Sequence, residues 1–335
     1  MEDKSSESQK LDRSIKEGFN LSDSSGESEI RMLPRREFLT TAAVLLTATV
    51  LAGPRGLWSD GVRETASRQR YRIGIADLMI YQRQKIGSFA LSEQLGADGI
   101  EVDMGGLGDR PTFNSKLSDP AIRDQFLADA KSHHQFICSI AMTGFYAQSF
   151  AERPTWKQMF SDSIETMKQM GVKIGFLPFG INVDLIKRPE LRPVVIERLK
   201  WVGEKAAKAG VVIGIESGLD AAGELALLKA IDSKGIRSYF NFEVALDHNR
   251  DVCKELQLLG KKWICQIHGT NADGVHLEMD PKVNMPRIKK TLDKMKWSGW
   301  LVLQRSRDQK DPRNVPYNFG ANARYMQSIF NAKTK

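Results

Sequence analysis

Four side chains able to hold a cation or move a proton close four successive apolar runs in the second half of this sequence. Glu216 ends the run from Val211, Asn241 lies at the end of the one from Ser238, His268 ends the one from Trp263, and Gln304 ends the one from Gly299. A carboxylate, an imidazole and two amide oxygens brought to one axis describe a weak site for a divalent metal ion such as Mn, Mg or Zn. Taken singly, a histidine at such a place is more often a hydrogen-bonding residue than a ligand. Four polar ends in register shift the balance toward a site. The first half offers Asp77, Glu101 with Asp103, and Thr143 at equivalent places, and Tyr146 follows shortly after. Arg305 and Arg307 come directly after Gln304 and are placed to meet an anionic or carbonyl group. A surface ion pair between Arg307 and Asp308 is the plainer alternative, worth little in stability. His276, in the loop beyond the seventh run, reads more easily as exposed than as part of a site.

These residues can converge only if the runs that carry them are strands of one closed sheet. From Tyr71 onward, short apolar runs alternate with amphipathic stretches, and the runs fall at 72–76, 99–103, 136–142, 172–177, 211–216, 238–242, 263–268 and 299–304. Between them the apolar period is 3.6 residues, as in Pro193–Ala209, where Val194, Val195, Leu199 and Val202 share a face. Gly96, Gly171, Gly210 and Gly260 stand where such helices should end, because glycine takes the left-handed conformation past a helix terminus without steric cost. Strands alternating with helices predict βα units and a parallel sheet. Eight units in about 260 residues match a single (β/α)8 TIM barrel of the α/β class, here residues 71–335. A doubly wound open sheet would want a glycine-rich phosphate loop after its first strand, and here that strand runs into Asp77, Leu78 and Met79. In a barrel the C-terminal strand ends form the active face, where all the strand-end residues named above would lie.

Residues 71–330 resemble the xylose-isomerase-like sugar phosphate isomerases and epimerases, whose barrel also underlies endonuclease IV. Ile213 to Ser217 looks like that family's fifth strand, ending in its first glutamate ligand. Tyr239 to Phe242 resembles the sixth, Ile267 to Asn271 the histidine motif of the seventh, and Gly299 to Gln304 the eighth. Glu101 matches a glutamate often found on the second strand. The resemblance implies a small-molecule carbohydrate as partner and a metal that polarises a carbonyl while glutamates remove and return a proton. It implies Glu216 and Glu101 as catalytic residues, and Glu216, Asn241, His268 and Gln304 around the metal. Gln304 and Arg305 would face substrate, as would Thr143 and Tyr146, the latter in a stretch whose rings can stack on a sugar or simply pack the barrel top.

Two departures stand out. The sixth strand carries Asn241 where aspartate is commoner, and the eighth carries Gln304 where the family has its second glutamate. Glutamine can ligate but cannot carry a proton, and losing one positioned acid/base group costs about 10²–10⁴-fold in rate. Either another residue supplies the second relay, with Glu101, Glu243, Asp247 and His248 as candidates, or the barrel has become a lyase, a hydrolase or a carbohydrate-binding protein.

The remaining features concern the whole chain. It has 335 residues, of which 41% are hydrophobic and 27% charged, with a net charge of +8. Its basic residues are interspersed with acidic ones and form no stripe interleaved with aromatics, so nucleic acid is not an expected partner. Cys138, Cys253 and Cys265 form no disulfide framework. Residues 1–30 are polar and aperiodic, which predicts disorder. Arg35 and Arg36 precede Phe38 and Leu39, and an uncharged stretch follows to Gly53. This order describes a twin-arginine signal peptide, with cleavage after Ala52 and a linker over 53–70. About 15 uncharged residues diluted by threonines fall short of the roughly 20 that span a bilayer, so no stable membrane anchor is expected. The mature protein would then reside in the periplasm or another extracytoplasmic space. Met32 would open a compact signal directly, which suggests that translation starts there rather than at Met1.

Overall fold

The structure is a computed structural model that describes residues 69–332. The signal, lead-in and nearly all of the linker expected from the sequence fall outside the described residues. The strands are Tyr71–Ala76 (β1), Gly99–Asp103 (β2), Phe136–Ala141 (β3), Ile174–Pro178 (β4), Val212–Glu216 (β5), Ile236–Asn241 (β6), Ile264–His268 (β7) and Gly299–Leu303 (β8). Each pairs in parallel with the next, and β8 pairs with β1 to close the barrel. The strands expected from the sequence are all present, displaced by a residue or two at their ends.

The helices are Ser88–Leu95 (α1), Pro120–Ser132 (α2), Trp156–Gln169 (α3), Arg192–Ala209 (α4), Ala221–Ile231 (α5), Phe242–Asp247 (α6), Val252–Leu259 (α7), Met285–Met295 (α8) and Val315–Phe330 (α9). Local chemistry sets their ends. Asp119 and Asp220 accept hydrogen bonds from the first free N–H groups of α2 and α5. Gly96 and Gly210 follow α1 and α4 with φ of +84° and +69°, the conformation that stops a helix and turns the chain into the next strand.

Successive strand residues point to opposite sides of the sheet. Ile73, Ile75, Val102, Ile213, Ile215 and Leu301 point outward and are wholly buried in one apolar core with the helices. Each contributes roughly 1.5–3 kcal/mol by leaving water. The intervening residues face the barrel axis, and many are polar: Glu101, Ser139, Tyr239, Gln266 and His268 are all buried. Their position is fixed by bonds that cross the barrel, such as Tyr239 on β6 to Glu101 on β2. The pairing of β2 with β3 shifts between Ile100 and Glu101, and that of β6 with β7 shifts between Ser238 and Tyr239. Such irregularities re-aim side chains, and both fall beside a residue of this polar interior. At the opposite end Trp300 stacks edge-on against Phe136, and a Cβ on Gly99 would come within 2.9 Å of its ring.

Candidate active site

The site is built around His268, at the end of β7 and with no exposed surface. Its Nε2 lies 3.1 Å from Glu101 Oε1 and its Nδ1 lies 3.4 Å from Glu216 Oε2, so a carboxylate stands at each edge of the ring. Burial alone would lower the pKa of His268. The Glu101 carboxylate and the hydrogen bonds to both glutamates outweigh it and push the value up to about 9. The ring is therefore an imidazolium at neutral pH. Phe176 and Tyr239 pack against it at centroid distances of 4.6 and 4.4 Å.

Behind the histidine, a polar layer fixes Glu101. The Gln266 amide donates to Ser139 Oγ and to the Tyr239 hydroxyl, each at 2.9 Å. With their lone pairs engaged, both hydroxyls donate onward to Glu101 Oε2 at 2.7 Å. Burial would raise the pKa of Glu101, but His268, Tyr239 and Ser139 together hold it below the usual carboxylate range. Glu101 is 2% exposed and spends its oxygens on these partners, so it orients His268 instead of facing a ligand.

In front of the histidine stands Glu216, the end of β5. Its Oε2 accepts from Asn241 Nδ2 at 2.8 Å and its Oε1 from the Tyr146 hydroxyl at 3.3 Å. That hydroxyl accepts from Gln304 Nε2 at 3.0 Å. Burial and the charge of Glu216 raise the pKa of Tyr146 well above its ordinary value, so it stays a neutral donor. The structure thus brings Glu216, Asn241 and His268 into direct contact and joins Gln304 to them through Tyr146.

Arg305 forms the rim. Its guanidinium lies 2.8 Å from Glu243 and 3.5 Å from Asp273. Burial raises Glu243 to about 7, and Arg305 opposes that rise. Arg307 pairs with Asp273 through Nε and Nη2, and not with Asp308, the alternative the sequence left open. His276 bonds to Asn318 Oδ1 at 3.0 Å and packs on Tyr317, remote from these residues in its bonding. His248 bonds to the Val244 carbonyl, one turn back along the chain. Thr143 donates to Asp103 and is 5% exposed, so its hydroxyl is engaged by protein. Tyr239, Ser139 and Gln266 were missed in the sequence, where they look like ordinary strand interior. The only available sign was their period, since they lie two residues before Asn241, Ala141 and His268 respectively.

A resident divalent cation needs several lone pairs aimed at one point. Glu216 offers them, and the Nδ1 edge of His268 would do so only after losing its proton. Asn241 does not. Its oxygen accepts the Glu243 backbone N–H at 2.9 Å, capping α6, and this leaves the NH2 group facing Glu216. Gln304 turns its NH2 to Tyr146 and is joined to Glu216 only through that hydroxyl. Among the described residues no group of three or more His, Cys, Asp or Glu side chains is placed to hold a metal ion. The four-residue ligand set expected from the sequence does not fit a divalent cation in this arrangement.

Comparison with known proteins places this geometry in context. A family profile described as xylose isomerase-like TIM barrel matches residues 89–329. A search of curated proteins gives no match. Among solved structures, 3-keto-D-glucoside 4-epimerase from E. coli superposes with a TM-score of 0.61 at 15% identity, covering 76% of this chain and 99% of that one. A D-psicose 3-epimerase crystallised with D-fructose gives 0.63 at 11% identity, covering 78% and 100%. A sugar phosphate isomerase/epimerase from Parabacteroides distasonis gives 0.61 at 16% identity, covering 77% and 96%. At such identities the likeness is one of fold.

Proposed function

The chain belongs to the xylose isomerase-like TIM-barrel family, and from that premise we propose that it is an isomerase- or epimerase-like enzyme that moves a proton beside the carbonyl of a carbohydrate or carbohydrate derivative. The observation that carries this reading is Glu216. It is a carboxylate at the C-terminal face of the barrel, ringed by the side-chain donors Asn241, Tyr146 and His268.

In this reading Glu216 takes a proton from the carbon next to a carbonyl, and the electron pair moves onto the carbonyl oxygen. The Tyr146 hydroxyl, which meets the base, and the Gln304 N–H behind it are neutral donors suited to receive a developing oxyanion. The proton then returns to the same or the adjacent carbon, so no net oxidation occurs. Glu101 and His268 hold the base in place from behind. Glu243, whose carboxyl is poised near neutrality beside Arg305, is the group best suited to a second proton transfer. No step is routed through a metal.

The test is proton exchange. The purified protein is incubated in deuterated water with free aldoses, ketoses, uronates and keto-sugars, and carbon-bound hydrogen is followed by NMR. Exchange that disappears in Glu216→Gln supports the reading. Exchange that persists in that variant ends it. The neutral Gln304 favours a second reading, a barrel that binds carbohydrate without isomerising it. That reading predicts saturable sugar binding by calorimetry with no exchange in any substrate.

The twin-arginine signal supports an extracytoplasmic home, and with it free or oxidised sugars over phosphorylated ones. Replacing Arg35 and Arg36 by lysine should trap the full chain in the cytoplasm of a bacterial host, and unchanged export would remove that part of the proposal. Among the described residues no helix is long and apolar enough to cross a membrane.

A further inference from the structure

We infer that Asn241 is the residue that makes this centre independent of a divalent cation: its carboxamide positions Glu216 by donating a hydrogen bond from the place where a metal ligand would have to accept one. The inference rests on the direction of a short chain of hydrogen bonds, not on the identity of the substrate.

The direction is fixed by a backbone group. The first turn of α6 follows β6 without a connecting loop, so its amide N–H groups open straight onto the barrel mouth. Asn241 is the residue before that helix, and the Glu243 N–H points at it, 2.9 Å away. An N–H can be met only by an acceptor, so the atom there is Oδ1. The amide has one oxygen, and the other terminal atom is therefore the NH2 group, 2.8 Å from Glu216 Oε2. Flipping the amide would set two donors against each other at the helix and an oxygen against a carboxylate at Glu216. Both ends exclude it.

The same logic runs along the other side of Glu216. The Tyr146 hydroxyl donates to Glu216 Oε1, so its lone pair is what Gln304 Nε2 meets at 3.0 Å. Glu216 thus receives a donor on each oxygen. A cation placed between Glu216 and His268 would find the Asn241 amide hydrogens pointed toward it.

An aspartate at position 241 would behave differently with almost no change of shape. One oxygen would still cap α6, because aspartate caps as well as asparagine. The other would then face Glu216 at hydrogen-bond distance, and two carboxylates that close are held together only by a proton or a metal ion. A single atom, nitrogen in place of oxygen, separates a centre that holds itself together from one that calls for a cation.

The full chain, purified without chelator, is titrated with Mn2+, Mg2+ and Zn2+ separately by calorimetry, with metal content and thermal unfolding measured alongside. The wild type should carry no stoichiometric metal, and its melting temperature should respond to neither Mn2+ nor EDTA. Asn241→Asp should bind one Mn2+ at least about tenfold more tightly than wild type, since affinity follows the count of charged ligands, and its melting temperature should rise with Mn2+. Gln304→Glu alone adds the same charge but leaves the Asn241 donor in place, and it should gain no such site. Stoichiometric, chelator-sensitive metal in the wild type overturns the inference. So does a cation site gained by Gln304→Glu alone, or none gained by Asn241→Asp. These readings need no substrate, so they stand or fall separately from the proton-exchange test of the proposed reaction.

Discussion

Two buried acid clusters share the active face of this barrel, and they draw on different donors, mainly backbone N–H groups in the first and side chains in the second. In the first, at the ends of β1 and β2, Asp77 accepts the backbone N–H groups of Asp103 and Gln84 at 3.1 and 2.9 Å. Asp103 in turn accepts the Gly105 N–H at 2.8 Å, the Thr143 hydroxyl and the guanidinium of Arg83. In the second, at the ends of β5 to β7, Glu216 and Glu101 meet side chains: an amide, phenols, a serine hydroxyl and both edges of His268. Backbone donors are tied to the fold and cannot be surrendered to a ligand. Side-chain donors can turn toward one. The first cluster ties loops down and the second is equipped for chemistry.

The largest expected effect lies in the second cluster. Glu216→Gln keeps the shape and removes the proton acceptor, so any proton-exchange activity should fall about 10²–10⁴-fold. Thermal unfolding should change far less than activity, because the amide oxygen still accepts from one of the three donors. A stability loss as large as the activity loss would erase the contrast between the clusters. The mirror experiment is Asp77→Ala. Two buried N–H groups would lose their only side-chain acceptor, each costing about 1–3 kcal/mol. A loss of about 2–6 kcal/mol should appear in denaturant unfolding, with the exchange rate per folded molecule preserved.

This contrast also marks how far the sequence could be read. The outer layer was legible because its physics is periodic: isoleucines and valines at alternate positions, separated by helices that end at glycines such as Gly96 and Gly210, admit few folds. The strand-end residues were legible once the strands were counted. Tyr239, Ser139 and Gln266 were not, because a polar residue inside a strand reveals its partner only when the opposite side of the barrel is known. Nor was the role of Asn241. An asparagine offers both an acceptor and a donor, and which one faces the centre is decided by the N–H of a helix that begins one residue later. Thr143 looked like a substrate contact for the same reason, since nothing in the chain order says that its hydroxyl bonds to Asp103.

A buried carboxyl outside both clusters sharpens the comparison through pH. Glu224 accepts from Ser217, the residue after Glu216, and burial raises its pKa to about 7 while that bond opposes the rise. A raised value means that the folded state prefers the neutral acid. Its contribution to stability is complete below the ordinary value near 4.5 and is lost as the pH climbs through about 7. Glu224→Gln makes the neutral form permanent. The variant should match wild type at pH 4 and exceed it at pH 8 by up to about 3 kcal/mol in urea unfolding. A difference that is flat with pH would show that Glu224 ionises freely in the folded protein.

The smallest effect tests where the boundary between the clusters runs. Thr143 sits at the end of β3, between Asp103 on one side and Tyr146, three residues on, at the other. If it belongs with Asp103, Thr143→Val removes one hydrogen bond among several and costs about 1 kcal/mol of stability. The Michaelis constant and turnover of any exchange reaction should then stay within twofold of wild type, roughly the scatter of such measurements. Tyr146→Phe, one helical turn away, removes a donor to Glu216 and should lower turnover by up to about 10²-fold with little change in stability. Equal kinetic losses in both variants would place Thr143 against the ligand and merge the two clusters into one site. A loss confined to Tyr146→Phe keeps the division where the hydrogen bonds put it, between an acid cluster that holds loops and one that can hold a proton.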